Sequence, residues 1–147
     1  MKNIIRNSIK VALVTTAALS TLTMFSTVQA SNLTLTLDNI DTQQGQLMVA
    51  VYQNQESYQT GTSAVASMIK PVTSTSHSMI FTDLMPGEYA VKVLHDENGN
   101  NTLDSNFLGV PSEGYGFSNN AGSFGPASFD EAKFTVDTDT AITIHLR

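Results

Sequence analysis

The sequence predicts an all-β domain, a single antiparallel β-sandwich of about seven short strands. Two observations carry this prediction: short segments alternate apolar and polar residues with period two, and clusters of turn residues separate them. No segment has the apolar spacing of an amphipathic helix of three turns. The chain of 147 residues is long enough for one domain with one core. We therefore expect two sheets packed face to face.

The N-terminal residues have the pattern of a secretory signal peptide. Three basic residues precede an uncharged, largely apolar stretch at residues 11–25, and small residues lead up to Ala30. We predict cleavage between Ala30 and Ser31, which separates a signal peptide, residues 1–30, from a β-sandwich domain, residues 31–147. The alternative is an uncleaved anchor, but the apolar run is short and contains Thr and Ser. No later segment has the roughly 18 apolar residues that cross a bilayer, so we expect an exported protein, periplasmic or secreted, with no membrane span after signal removal.

The net charge of the chain limits the classes of partner that it can bind. The chain has 7 basic and 13 acidic side chains, a net charge of -6, and removal of the leader with its three basic residues gives 4 − 13 = −9. Such a surface repels phosphate backbones, so we predict no nucleic-acid partner. With no Cys there is no disulfide, no thiolate nucleophile and no Cys-ligated metal. An envelope protein or an extracellular ligand is the expected partner.

The first half of the domain predicts four strands. Residues 33–37 alternate leucine and threonine, as in a strand with one buried face. Residues 47–52 are apolar on both faces, which is typical of a central strand. Residues 53–66 have no clear period and predict a loop with at most one helical turn. Two more short strands are expected at residues 68–72, where a proline favours a sheet edge, and at residues 76–81.

The second half contains the clearest turn. Pro86 and Gly87 precede an alternating run at residues 89–94, as a tight connection into a strand requires. The order Leu, Pro-Gly, Tyr, Val over residues 84–91 resembles a recurring hairpin of prealbumin-like β-sandwich modules, which implies a prealbumin- or immunoglobulin-like sandwich. Residues 133–136 and 141–146 alternate on either side of a polar turn and predict a closing β-hairpin. Its inward side chains are Ile142, Ile144 and Leu146, and its outward ones Thr143, His145 and Arg147.

An acidic, asparagine-rich loop follows the strand at residues 89–94. Asp96, Asn98, Asn100 and Asp104 stand at loop positions one, three, five and nine, and Thr102 at position seven offers its carbonyl. A hard divalent cation takes six to eight oxygens, and alternate residues of a loop can supply them. The pattern predicts a weak calcium site, with an ordinary turn held by side-chain hydrogen bonds as the alternative.

Two positions depart from the calcium-loop pattern. Asn101 occupies position six, where glycine is usual, but asparagine tolerates the left-handed conformation. Phe107 occupies position twelve, where a bidentate glutamate is usual. Glu113 is the expected replacement if the following segment folds back onto the loop.

The next segment places glycines around two aromatic residues. Such glycines permit close approach of the backbone to a neighbour. One hypothesis is a ligand-facing loop formed by His95, Tyr115, Phe117, Asn119 and Asn120. The alternative is that both aromatic rings fold back as a lid over one end of the sandwich.

Several of these segments together resemble the bacterial domain of unknown function family 2141. The matching segments are residues 84–93, 95–100, 103–104, 109–111, 113–120 and 126–134. The resemblance implies an exported protein with a β-rich fold, and the family brings no established activity. Asn101-Thr102 stands where the family pattern usually reads Gly-Lys, which makes this copy a slightly poorer metal loop.

Enzymatic function has weak support in the sequence. The three imidazoles, His77, His95 and His145, form no metal-binding or catalytic motif. Strand parity places His95 inward, and we expect His77 and His145 at the surface. We predict a non-catalytic exported module that binds an unknown ligand. The alternatives are a structural cell-envelope β-domain without a small-molecule ligand, and a hydrolase that uses His95 with Asp96 or Glu113.

Overall fold

The computed structural model describes residues 29–147, and this part of the chain folds as a sandwich of eight strands with two short helices. The predicted signal peptide lies outside the described residues except for its last two positions. In chain order the elements are β1 (Ser31–Asp38), β2 (Gln46–Tyr52), α1 (Gln55–Thr60), β3 (Ala66–Pro71), β4 (His77–Leu84), β5 (Gly87–Asp96), β6 (Tyr115–Phe117), α2 (Phe129–Ala132), β7 (Phe134–Val136) and β8 (Thr140–His145).

Two sheets form the sandwich. The smaller has the strand order β4-β1-β8, and the larger has the order β3-β2-β5-β6, with β7 paired to the first residues of β5. All pairs are antiparallel except β1 with β8, which is parallel. The predicted all-β, antiparallel-dominated sandwich is confirmed. Within the described residues no helix is long and apolar enough to cross a membrane.

The main core lies between the two sheets. From β1 it takes Leu33, Leu35 and Leu37, which are fully buried, as their alternation with threonine predicts. The facing residues come from the larger sheet and are Leu47, Val49, Val51, Tyr89, Val91 and Val93. Burial of this apolar surface is the main stabilising term, since the chain has no disulfide.

The predicted closing hairpin is wrong. The strands β7 and β8 form where expected, and Ile144 and Leu146 face the core, but β7 pairs with β5 and β8 pairs with β1. The turn between them therefore carries the chain from one sheet to the other. Alternation within each strand predicts which face is buried, but it contains no information on the partner strand.

The Pro-Gly connection also differs from a hairpin. The strand before it, β4, belongs to the smaller sheet, and the strand after it, β5, belongs to the larger one. Pro86 and Gly87 thus form a corner between the sheets. Tyr89 closes this corner, because its buried hydroxyl donates a hydrogen bond of 2.6 Å to the Met85 carbonyl.

The segment predicted as a loop with one helical turn contains the six-residue helix α1. The side chain of Asn54 caps its first turn by accepting a hydrogen bond from the Ser57 amide. Gly61 ends the helix in the left-handed conformation, with φ of 69°. Together with α2, this helix covers one part of the outer face of the larger sheet.

Candidate functional site

The acidic loop leaves the end of β5 and is built around one buried carboxylate. Asp96 is fully buried, and its Oδ1 accepts hydrogen bonds from the amides of Gly99 and Asn100 at 2.8 and 3.1 Å. Its Oδ2 accepts from the Asn101 amide and from Gln46 Nε2, both at 2.9 Å. Asp96 therefore shapes the loop backbone. This bonding explains why an aspartate follows the strand directly.

The pKa of Asp96 reflects the same contacts. Burial of the carboxylate acts to raise its pKa, but the hydrogen bonds from Gln46 and from the three loop amides outweigh that effect and hold the pKa below its ordinary value. The charged form is thus the one that the fold stabilises.

The exposed side of the loop brings three of the predicted metal ligands together. The Asp104 carboxylate accepts a hydrogen bond of 2.5 Å from Asn98 Nδ2, and bonds of 3.0 and 3.1 Å from Asn100 Nδ2. The carbonyl oxygen of the Asn100 side chain accepts from both the amide and the hydroxyl of Thr102, each at 2.8 Å. Positions three, five and nine of the predicted calcium loop therefore meet in one place.

Asn101 confirms the expectation that asparagine is tolerated at position six, since its φ is 62°, in the left-handed region. Phe107, at position twelve, is 95% exposed and takes no part in the loop interior. It sits with the exposed Leu108 and Val110 at the tip of a tight turn. Asn106 closes that turn by accepting hydrogen bonds from the amides of Leu108 and Val110.

Glu113 folds back onto the loop, as its replacement role requires. One carboxylate oxygen accepts a hydrogen bond of 3.0 Å from the Glu97 amide, and the other accepts one of 2.9 Å from the Asp104 amide. The side chain is buried. Glu113 thus fastens the two ends of the loop to each other instead of joining the cluster around the Asp104 carboxylate.

The six predicted metal ligands therefore divide into two groups. Asn98, Asn100, Thr102 and Asp104 come together, whereas Asp96 and Glu113 hold the backbone. Among residues 29–147 no three side chains of His, Asp or Glu group as they would around a metal ion. A cation at this loop would depend on amide and carbonyl oxygens beside the single Asp104 carboxylate, a donor set that favours calcium at low affinity.

A family comparison covers this loop and most of the fold. The pattern of DUF2141, described as an uncharacterized protein conserved in bacteria, matches residues 35–144. The chain belongs to DUF2141. No curated protein and no solved structure matches the chain.

One of the two buried histidines among residues 29–147 of this DUF2141 protein, His95, lies under the loop. His95 is 1% exposed, and its Nε2 is 2.8 Å from the Gln44 carbonyl oxygen. Its strand neighbour across the loop is Gly114, whose carbonyl accepts from the His95 amide at 2.7 Å. A Cβ at position 114 would lie 3.1 Å from His95 Cβ, so the glycine allows this close approach. The inward position predicted for His95 is confirmed, and its side chain faces no open surface.

Tyr115 and Phe117 belong to β6, which extends the larger sheet. Phe117 is buried, as the lid alternative expects, but it packs on the outer face of the sheet and not over the end of the sandwich. The two rings contact each other edge to face at 5.9 Å. Tyr115 is half-buried. A continuous platform of two exposed rings is absent from this part of the fold.

Asn119 and Asn120 connect β6 to the rest of the DUF2141 domain. Both have positive φ, and Asn119 Nδ2 donates to the carbonyls of Glu131 and Lys133. Asn120 Nδ2 donates to the Thr143 carbonyl, and its Oδ1 accepts from the His145 amide. Asn119 Nδ2 and both polar atoms of the Asn120 side chain are thus engaged within the chain. Whether any ligand binds at this segment stays a prediction.

The expectation of a surface position is right for His145 and wrong for His77. His145 is exposed, and its Nδ1 contacts the Asp38 carboxylate. His77 is buried at the start of β4, where its Nε2 accepts from the Thr73 amide at 3.2 Å. Burial, and after it the charge of Lys70, lowers the pKa of His77. His77 has the same strand parity as Met79 and Phe81, which face the core. The serines on either side of it obscured this alternation in the sequence.

Sequence reasoning missed an apolar groove on the outer face of the larger sheet. It is a cavity of about 550 Å³, here called the outer groove. The apolar side chains in its wall include Met48, Ala50, Ile69, Leu94, Leu103 and Phe117. The signal was present, because residues 47–52 are apolar on both faces. This pattern predicted a central strand. It could not show that α1 and α2 cover only part of the outer face of that strand.

Proposed function

We propose that this protein is an exported, non-catalytic binding module whose acidic loop binds calcium weakly. The observation that carries the proposal is the convergence of Asn98 and Asn100 on the Asp104 carboxylate at the exposed side of the loop.

Export is supported by the position of the first strand. The strand β1 begins at Ser31, the residue that follows the predicted cleavage site. Ser31 already pairs with Leu84 in β4, so removal of residues 1–30 leaves β1 whole. The acidic charge of the remaining chain suits a soluble domain outside the cytoplasm.

A non-catalytic role is supported by the contacts of the two buried imidazoles. His95 and His77 are buried, and each has a ring nitrogen bonded to, or within bonding distance of, the backbone. The two carboxylates considered as partners for His95 in a hydrolase, Asp96 and Glu113, accept hydrogen bonds from backbone amides. A general base must have a substrate proton within hydrogen-bond distance. In these side chains the atoms that would accept such a proton are already next to the protein backbone.

Calcium binding is supported by charge and by oxygen donors. Residues 95–113 contain four carboxylates and no lysine or arginine. A side-chain amide presents its oxygen in place of its nitrogen when it turns by half a rotation. Turned in this way, Asn98 and Asn100 would direct oxygens to the region beside the Asp104 carboxylate, and they would give up the hydrogen bonds that these oxygens now accept from the Asn100 amide and from Thr102. A cation would then replace the amide hydrogens that now neutralise that carboxylate.

The test is the melting temperature of the purified protein, in chelator and then across a calcium titration, with magnesium in parallel. A ligand that binds only the native state raises this temperature in a saturable way. We expect a rise with a midpoint of about 0.1 to 1 mM calcium, the range of extracellular modules. Magnesium should produce a smaller effect, because it requires stricter octahedral geometry.

The informative variant is Asp104→Ala, because Asp96 shapes the loop with or without an ion. Its matched control is Asp137→Ala, which removes an equal charge from the exposed turn between β7 and β8. Loss of the calcium response in the first variant and retention in the second would support the site. A wild-type protein that melts at the same temperature in chelator and in millimolar calcium would refute the calcium proposal and favour the structural envelope role.

A further inference from the structure

The outer groove is formed by two neighbouring rows of side chains that run across the larger sheet. In one row Ile69, Met48 and Leu94 are direct cross-strand neighbours on β3, β2 and β5. In the next row Ser67, Ala50 and Lys92 are neighbours in the same way. The first row has three large apolar side chains, and the second has the small side chains of Ser67 and Ala50. The difference in size creates the depression. Its volume of about 550 Å³ lies within the usual range for small-molecule sites.

Lys92 is the charged group in the wall of the outer groove. Its Nζ donates a hydrogen bond of 2.5 Å to the Tyr58 carbonyl and lies 4.2 Å from the centre of the Tyr58 ring. An ammonium group has three donors, so this bond leaves two others. Burial lowers the pKa of Lys92, as expected for an ammonium group taken out of water.

Lys92 is the cation that lines the outer groove, and like Lys70 and Arg147 it has no carboxylate partner within residues 29–147. Lys133 pairs with Glu88 and Asp130. In residues 29–147 no carboxylate lies within salt-bridge distance of Lys92, and cavity space opens beside it. An apolar depression with one cation in its wall that no carboxylate neutralises is complementary to a molecule with an apolar body and one negative charge.

We propose that the outer groove binds a small amphipathic monocarboxylate, with the carboxylate at Lys92 and the aliphatic chain along the row of Ile69, Met48 and Leu94. This proposal rests on the proposed binding function and deepens it by naming a ligand class. Leu103 and Phe117 close the groove on the side of the acidic loop and β6. The groove shares Leu103 with the acidic loop but contains none of the predicted calcium ligands, so each proposal can fail without the other.

The test is calorimetric titration of the full chain with octanoate, and with 1-octanol as the uncharged probe of equal chain length. We expect octanoate to bind at least about tenfold more tightly than octanol, because only the carboxylate forms an ion pair with the Lys92 ammonium group. Decanoate should bind more tightly than octanoate, by about fourfold for each added methylene group.

Three variants separate the contributions of charge and apolar surface. Lys92→Met keeps an unbranched side chain that is one atom shorter and carries no charge, and it should remove the preference for octanoate over octanol. Ile69→Asp places a charge at the rim of the groove and should weaken both probes by about tenfold or more. Ile80→Asp is its matched control, since Ile69 and Ile80 are 57% and 55% exposed on edge strands of different sheets. It should bind both probes as the wild type does.

Four results would overturn the proposal. These are no binding of either probe, equal binding of octanoate and octanol by the wild type, binding that persists unchanged in Ile69→Asp, and a groove-dependent dimer in sedimentation that excludes both probes. The last would assign the groove to a second copy of the chain. A calcium-dependent rise in melting temperature with no octanoate binding would leave the proposed function standing and refute the groove ligand alone.

Discussion

Tyr89 shows how a single side chain fixes a connection that looks like a hairpin in the sequence. Its ring is buried between the sheets, and its hydroxyl reaches back to the Met85 carbonyl at 2.6 Å. Pro86 and Gly87 stand between donor and acceptor and set the corner. Burial raises the pKa of Tyr89, which keeps the hydroxyl protonated as the bond requires. The Leu-x-Pro-Gly-x-Tyr order thus describes a crossing between sheets that one buried hydrogen bond closes.

The variant Tyr89→Phe tests this role. It removes the hydroxyl and leaves the ring, so the free energy of unfolding should fall by about 1 kcal/mol, the net value of a typical hydrogen bond. Tyr115→Phe is the control, because the Tyr115 hydroxyl makes no hydrogen bond within residues 29–147. Urea denaturation followed by circular dichroism measures both. Equal stabilities of the two variants would show that the corner does not depend on the hydroxyl.

At the scale of elements, the sequence predicts strands better than it predicts their partners. Alternation placed β1, β5 and β8 and identified their inward faces, because burial of one face imposes period two on each strand separately. The strand β2 was predicted from its apolar composition, which does not distinguish its two faces. The pairings of β7 and β8 depend on contacts with strands far away in the sequence. No local pattern records those contacts. The short connection between them suits a hairpin and a crossing between sheets equally well.

The two candidate sites also differ in how far the sequence predicts them. The acidic loop is one continuous segment, so its composition predicted its position. The return of Glu113 entered only as a condition for a replacement ligand, because no local pattern shows where the following segment folds. The outer groove takes residues from β2, β3, β5 and β6, together with Leu103 from the acidic loop. Each of these residues is ordinary in its own strand. The groove becomes visible only when the sheet order brings them together.

The strand β6 illustrates how a glycine determines the packing of an element. It has three residues and lies against β8, where a Cβ at position 116 would be 2.6 Å from Ile144 Cγ2. The strand therefore approaches the core closely. Tyr115 and Phe117 are placed on the outer face as a result.

The variant Gly116→Ala should destabilise the domain by about 1 to 3 kcal/mol, the usual cost of overpacking a core. Gly87→Ala is the matched control, since its Cβ would meet first the flexible end of the Gln53 side chain at 3.2 Å. Thermal and urea denaturation of both variants make the comparison. A Gly116→Ala protein as stable as Gly87→Ala would mean that β6 shifts outward without loss, and its contact with β8 would not be a constraint.

At the scale of the whole molecule, the two sheets meet at their edges near His77. The edge strand β3 belongs to the larger sheet and the edge strand β4 to the smaller one. Lys70 of β3 donates a hydrogen bond of 2.9 Å to the Ser78 carbonyl of β4. His77 lies beside this contact, buried, with Lys70 as the nearby charge that lowers its pKa after burial. Protonation of His77 would place a second positive charge at the junction of the sheets.

The sign of the resulting pH dependence follows from the direction of that shift. The pKa of His77 is lower in the folded chain than its ordinary value of 6.5, so the unfolded chain takes up the proton first as the pH falls. The contribution of His77 to stability is therefore complete above about pH 6.5 and is lost as the pH falls through its folded pKa. Asp96, whose pKa is also lowered, adds a further loss at more acidic pH, below about 4. We expect the urea midpoint to decrease between pH 7.5 and pH 5.

The variant His77→Gln isolates this junction from the rest of the molecule. Glutamine keeps an acceptor for the Thr73 amide but does not titrate, so the decrease between pH 7.5 and pH 5 should become smaller. His145→Gln removes an exposed imidazole and leaves His77 in place, so the contribution of His77 to the decrease should remain. A decrease of the same size in His77→Gln and in the wild type would show that the edge junction carries no pH-dependent stability. The decrease in that pH range would then come from groups other than His77, and Asp96 is not among them, because its lowered pKa keeps the carboxylate charged down to about pH 4.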